Sequence, residues 1–119
     1  MSYDQSNIFA KILRGEIPCN KIAEDAHFLA FHDINPQAPV HALVIPKGAY
    51  VSLSDFASQA SAEEIQGFWK GVQKVADQLG VEQSGYRIAA NHGADSNQEV
   101  PHFHVHILGG RNLMGLLPR

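Results

Sequence analysis

Apolar and polar positions alternate along this chain in a way that sets several short extended runs around one long helical stripe. Between Ala62 and Leu79 the residues Ile65, Phe68, Trp69, Val72, Val75, Ala76 and Leu79 recur at i, i+3, i+4 and i+7, which predicts an amphipathic helix. Ser61 with Glu64 three residues on matches a capping box, and Gly80 stands where a left-handed closing residue is favoured. Gly67 and Gly71 each cost about 1 kcal/mol of helix propensity against Ala. Close approach of a neighbouring backbone, a partner subunit's included, would account for them, and so would simple tolerance. Asn7 to Arg14 sets Ile8, Phe9, Ile12 and Leu13 at helical spacing before Gly15, which predicts a second, short helix.

The remaining apolar runs read as strands. Asn20 to Glu24 and Phe28 to Ile34 flank Asp25-Ala26-His27 as a hairpin would. Pro36 and Pro39 then break the pattern, and their loop delivers the chain into a strand from His41 to Pro46. There His41, Leu43 and Ile45 point one way, Ala42 and Val44 the other. Gly85 to Asn91 and His102 to Gly109 complete the set, separated by a polar, glycine-containing loop. Neighbouring strands, one long helix and no βαβ alternation predict an α+β fold on an antiparallel five-stranded sheet, with one long and one short helix. Residues 1–119 are of a length that fits one domain with its own core.

Nine Lys and Arg against twelve Asp and Glu give a net charge of −3, which argues against a broad basic face for nucleic acid or for anionic membrane. The single Cys19 forms no internal disulfide, and no signal-like apolar stretch follows Met1-Ser2-Tyr3-Asp4, so the expected compartment is the cytoplasm. Nothing approaches the roughly 18 apolar residues of a membrane span.

The chemistry concentrates in His102-Phe103-His104-Val105-His106-Ile107-Leu108-Gly109-Gly110. In an extended strand the three imidazoles share one face, roughly 7 Å apart, while Phe103, Val105 and Ile107 face the core. Three chemistries suit such a cluster. Two alternate histidines can ligate zinc with a third ligand from elsewhere, but His102 and His106, roughly 13 Å apart along a straight strand, cannot share one ion. Cys19 has no companion thiol to complete a structural site. General acid–base work is open to any imidazole near neutrality. In nucleophilic catalysis the flanked centre, His104, would attack, and a phosphorus electrophile fits best because imidazole forms a labile phosphoramidate.

The run His102-Phe103-His104-Val105-His106-Ile107-Leu108 matches the pattern His-φ-His-φ-His-φ-φ (φ, apolar) and resembles the histidine-triad (HIT) superfamily, in particular its Hint branch of nucleoside phosphoramidases. The likeness covers nearly the whole chain: Ile8-Phe9, Glu16-Ile17-Pro18, Phe31-His32-Asp33-Ile34, Pro36-Gln37-Ala38-Pro39, Val44-Ile45-Pro46-Lys47, Gly85-Tyr86-Arg87 and Leu108-Gly109-Gly110-Arg111 stand in the family's order.

The resemblance implies a HIT-like fold and cleavage of a nucleoside 5′-phosphoramidate or acyl-adenylate, without metal or cofactor, through a nucleotidyl intermediate on His104 that water discharges. A dinucleoside polyphosphate hydrolase of the same superfamily and a nucleotide-binding regulatory protein are the alternatives. By resemblance His106 contacts the phosphate or leaving group, His102 helps fix the nucleophile, and His41 orients it or shares its proton. Asp33 takes the ribose hydroxyls, and Ile8, Phe9, Ile12, Phe31 and Ile34 form the slot for a purine base with His32 at the rim. Asn91 and the loop positions Asn97, Gln98 and Glu99 approach the phosphate. Glu99 departs from the small hydroxyl residue common in close relatives, and the tail Asn112 to Arg119 lacks an aromatic ending that some of them carry. A homodimer is also implied, built on the long helix and a sheet edge.

Overall fold

A computed structural model describes residues 3–117. Met1 and Ser2, and Pro118 and Arg119 at the end of the tail, lie outside the described residues. The elements are α1 (Ile8–Leu13), β1 (Lys21–Glu24), β2 (Phe28–His32), β3 (Val40–Pro46), α2 (Leu53–Gln59), α3 (Ala62–Gln78), β4 (Tyr86–Ala89) and β5 (Val105–Gly109). The five strands form one antiparallel sheet in the order β1-β2-β3-β5-β4, the α+β arrangement that the sequence pattern predicts.

Each helix is delimited by its own sequence. The Asn7 side chain accepts the Ala10 N–H at 2.9 Å to start α1. Gly15, at φ +77°, closes it with Gly15 N–H to Ile12 O and Glu16 N–H to Lys11 O, a Schellman motif. The capping box at Ser61 and Glu64 is formed in full, and Gly80 repeats the Schellman closure after α3. One element goes beyond the predicted pair of helices. In α2 only Phe56 is buried and Leu53 is exposed, so Leu53–Gln59 has no apolar stripe, and its Ser52 cap was the one legible signal.

Alternation along the strands gives the sheet two different faces. Phe28 and Ala30 of β2, Ala42 and Val44 of β3, and Phe103, Val105 and Ile107 pack with Phe56 and with Phe68, Val72, Val75 and Ala76 of α3. The opposite side chains, Leu29, Phe31, Leu43 and Ile45, pack with Phe9 of α1. The paired strand β5 is shorter than His102 to Gly109. By the β3–β5 register Pro46 stands opposite Phe103, and proline has no N–H to continue the ladder, so Phe103 and His104 precede β5 without pairing to β3, and His102 lies in a bend with its N–H on Val100 O at 2.8 Å. The Phe103 N–H instead donates to Tyr50 O at 2.7 Å.

Gly67 and Gly71 have a local cause. A Cβ at Gly67 would run into the His27 ring, and one at Gly71 into Phe28, whose own side is sealed in the core. Within the chain the close approach at both positions is that of a side chain, not of a backbone. Gly71→Ala is therefore expected to destabilise the fold by about 1–3 kcal/mol through overpacking, despite a helix-propensity gain of about 1 kcal/mol. Urea unfolding followed by Trp69 fluorescence measures this, and a stabilised variant would contradict the contact.

Candidate active site

The face opposite α3 carries a cavity of about 870 Å³. Its apolar end is lined by Ile8, Phe9, Ile12, Ile17, Pro18, Phe31 and Leu43, and its polar end by Asn91, Ser96, Asn97 and Glu99, with Asp33, His41, His104 and His106 in the wall. His32 and Ile34 also line it, and Ile34, fully exposed, forms part of the rim. Among the described residues Asp33 and Glu99 are the only acidic residues of this lining, and no Lys or Arg belongs to it.

The imidazoles meet because of strand register. His106 sits directly across from Leu43, and His41, two residues earlier on β3, is its diagonal neighbour. Their atoms His41 Nε2 and His106 Nδ1 lie 2.9 Å apart. His41 Nδ1 accepts the Gln37 N–H at 2.9 Å, so its proton is on Nε2 and is donated to His106 Nδ1. That in turn places the His106 proton on Nε2. Asp33 Oδ2, 3.3 Å from the same His41 Nε2, is a second acceptor, while Asp33 Oδ1 takes the Asn35 N–H at 2.8 Å.

His104 is fixed by its own backbone. Its Nδ1–H donates to the carbonyl of His102 at 2.7 Å, which leaves the Nε2 lone pair unprotonated. The Phe9 ring stands edge-on to it at 5.0 Å. His102 does not line the cavity. It is completely buried, with Nε2–H donating to the Pro46 carbonyl at 3.0 Å and Nδ1 bonded to the Tyr3 hydroxyl.

Burial holds all four imidazoles below their ordinary range. Desolvation pushes His102 and His106 down to about 4, reinforced at His106 by the neighbouring His104 and His41. His104 and His41 move the same way for the same reason, with the Asp33 carboxylate pulling against it. The cluster is neutral at pH 7.

Gln98 belongs to the loop rather than to the cavity wall. Its Nε2 donates to Val51 O at 2.9 Å and Val100 O at 3.1 Å, and its Oε1 accepts the Gly93 N–H at 3.0 Å. This brace supports Asn97, in the left-handed region at φ 60°, and the exposed Glu99 beyond it. The contributions of Tyr3, Gln37, Pro46 and Leu43 were absent from the sequence reading. Leu43 alone had a signal, since it shares the alternation of His41. Tyr3 had none.

Asp33, His41 and His106 each offer one ligand atom within 4.8 Å of the others. A carboxylate and two imidazoles are a set that zinc accepts. As found, the three are engaged by hydrogen bonds to one another, and His104 stands outside the group.

The chain matches the HIT domain over residues 14–113 and belongs to the HIT family. It is 58% identical over 112 residues to an uncharacterized 13.2 kDa HIT-like protein of Azospirillum brasilense, covering 94% of this chain and 92% of that one. Among solved structures it resembles a HIT family hydrolase from Legionella pneumophila, at 40% identity and TM-score 0.82, covering 89% of this chain and 94% of that one. It also resembles a histidine triad nucleotide-binding protein from Candida albicans, at 32% identity and TM-score 0.77, covering 86% and 73% respectively.

The low imidazole range fixes a stability prediction. Unfolded histidines bind protons below about 6.5 whereas buried His102 stays neutral to about 4, so the unfolded state binds more protons in between and stability falls as pH drops. His102 alone contributes a slope that averages about 1 kcal/mol per pH unit between pH 6.5 and 5, with about 1.4 as its limit. Urea unfolding between pH 6.5 and 5, above the carboxylate range, is expected to show at least this slope. A flat profile there would mean that His102 titrates normally.

Proposed function

We propose that the protein is a hydrolase of the Hint type, cleaving nucleoside 5′-phosphoramidates or acyl-adenylates through a covalent nucleotidyl-His104 intermediate and releasing a purine nucleoside monophosphate. The observation that carries this reading is the His104 tautomer. With Nδ1–H held by the His102 carbonyl, the Nε2 lone pair is available to attack phosphorus as the bond to the leaving nitrogen breaks. The imidazolium so formed keeps its Nδ1 proton on that carbonyl. The phosphoramidate nitrogen takes a proton from solvent, so that it departs as the neutral amine, while His106, whose proton is on Nε2, donates a hydrogen bond to the phosphate or leaving group and keeps its proton. Water then attacks phosphorus as the phosphorus–nitrogen bond to His104 breaks, which returns His104 to its neutral Nδ1–H form and releases one proton to solvent.

The rest of the cavity supports a nucleotide in one orientation. Ile8, Phe9, Ile12 and Phe31 offer apolar surface for the base, and the Asp33 carboxylate has lone pairs left for ribose hydroxyls. Asn91 and Asn97 offer amide donors at the polar end. The named likenesses to a HIT family hydrolase and to a histidine triad nucleotide-binding protein are consistent with this class of substrate.

His104→Ala is expected to lower turnover of an adenosine 5′-phosphoramidate by at least two to four decades, while EDTA leaves the wild-type rate unchanged. Near-normal turnover by the variant would refute the nucleophile. Activity lost to EDTA and restored by zinc would instead favour the Asp33, His41 and His106 set. The same assay run with a dinucleoside polyphosphate and with phosphoramidates of cationic and anionic amines defines the leaving group. Glu99 at the polar end predicts a preference for the cationic amines that Glu99→Ser reduces.

For the quaternary state, the homodimer reading rests on β4. This strand ends the sheet, and Tyr86 and Ile88 on it are exposed. An unpaired edge with apolar side chains is suited to pairing with a second copy. Light scattering at micromolar concentration is expected to give twice the chain mass, and a monomer would overturn the assignment.

A further inference from the structure

Tyr3 lies ahead of α1, yet its hydroxyl reaches Nδ1 of His102, 99 positions along the chain. The ring of Tyr3 stands edge-on to that imidazole at 5.6 Å. His102 is completely buried and cannot recruit solvent. Its Nε2 lies 3.0 Å from the Pro46 carbonyl, which only accepts, so Nε2 carries the proton and Nδ1 is a lone pair. The tyrosine is therefore the donor. Among the described residues its hydroxyl is the sole hydrogen-bond partner of that nitrogen.

The consequence reaches the reacting atom through one residue. His102 is clamped by its ring at both nitrogens, and its carbonyl receives Nδ1–H of His104 at 2.7 Å. Rotation or tautomer exchange of the His102 ring would leave a buried nitrogen unmet and loosen the residue whose carbonyl orients His104. We propose that Tyr3 is a positioning residue for the reaction: by donating to His102 Nδ1 it holds the carbonyl that keeps the His104 proton on Nδ1 and its Nε2 lone pair free. Tyr3 touches no substrate in this role. The assignment rests on His104 as the nucleophile, but its structural half, the control of two tautomers, stands apart from any substrate.

This separation gives the test two arms. Tyr3→Phe keeps the ring and removes only the donor. Two-bond nitrogen–proton NMR of histidine-labelled protein is expected to show wild-type His102 protonated at Nε2 and His104 at Nδ1. In Tyr3→Phe the His102 pattern should become mixed and the His104 pattern should lose its single tautomer. Turnover of an adenosine phosphoramidate should fall roughly 10-fold to 100-fold in kcat with KM within twofold, as expected when geometry at the reacting centre is loosened and substrate contacts are kept. Tyr3→Ala should lose at least as much. Unchanged tautomers in Tyr3→Phe, or changed tautomers with unchanged kcat, would overturn the proposal. If the wild type turned over no phosphoramidate, the functional reading would fall, and the NMR arm would still decide whether Tyr3 sets the His104 tautomer.

Discussion

Both nitrogens of the fully buried His102 ring must be met, and the ring so held carries the contact that the rest of the site depends on, His104 Nδ1–H to the carbonyl of His102. Pro46 stands opposite Phe103 in the β3–β5 register and has no N–H to continue that ladder, so the Phe103 N–H goes to Tyr50 O instead. The same proline supplies the carbonyl that anchors His102 Nε2. One residue without an N–H thus ends the ladder and holds the ring of the residue whose carbonyl orients His104. Among the described residues no buried side-chain nitrogen or oxygen is left without a partner.

Charge follows from the same burial. Four imidazoles sit close together because desolvation keeps them neutral, and a cluster of imidazolium ions at these separations would repel. Among the described residues the cavity lining offers no Lys or Arg in their place, so its donors are the N–H groups of neutral imidazoles and amides rather than fixed positive charges.

The fold was largely legible because the elements that frame the site obey simple periods. The stripe of α3, the cap at Ser61 and the alternation in β3 and β5 all survive in the structure. What escaped the sequence follows from tertiary contacts that leave no local pattern. Leu53–Gln59 forms a helix around a single buried Phe56. Gln98 looks like a cavity residue by position, yet its amide is consumed by Val51, Val100 and Gly93. His102, one of three evenly spaced histidines, lies in a bend rather than in the strand and is completely buried away from the cavity. Tyr3 lay in a segment with no periodicity at all, and only folding brings it to His102.

The separation of the sheet's faces also explains how an unpaired segment can hold catalytic geometry. Residues 102–104 lack ladder bonds to β3, but Phe103 between the two histidines is 2% exposed and locked among aromatic rings. Phe56 stacks on it at 5.2 Å and Phe68 lies at 5.5 Å. Burying a phenylalanine side chain contributes about 1.5–3 kcal/mol, spent here at the one position whose displacement would move His102 and His104 together. Alternation turns core packing on the α3 side into positional control on the cavity side. This packing works together with the hydrogen bonds of His102 to Tyr3 and Pro46 and of His104 to the His102 carbonyl to keep the two rings aligned.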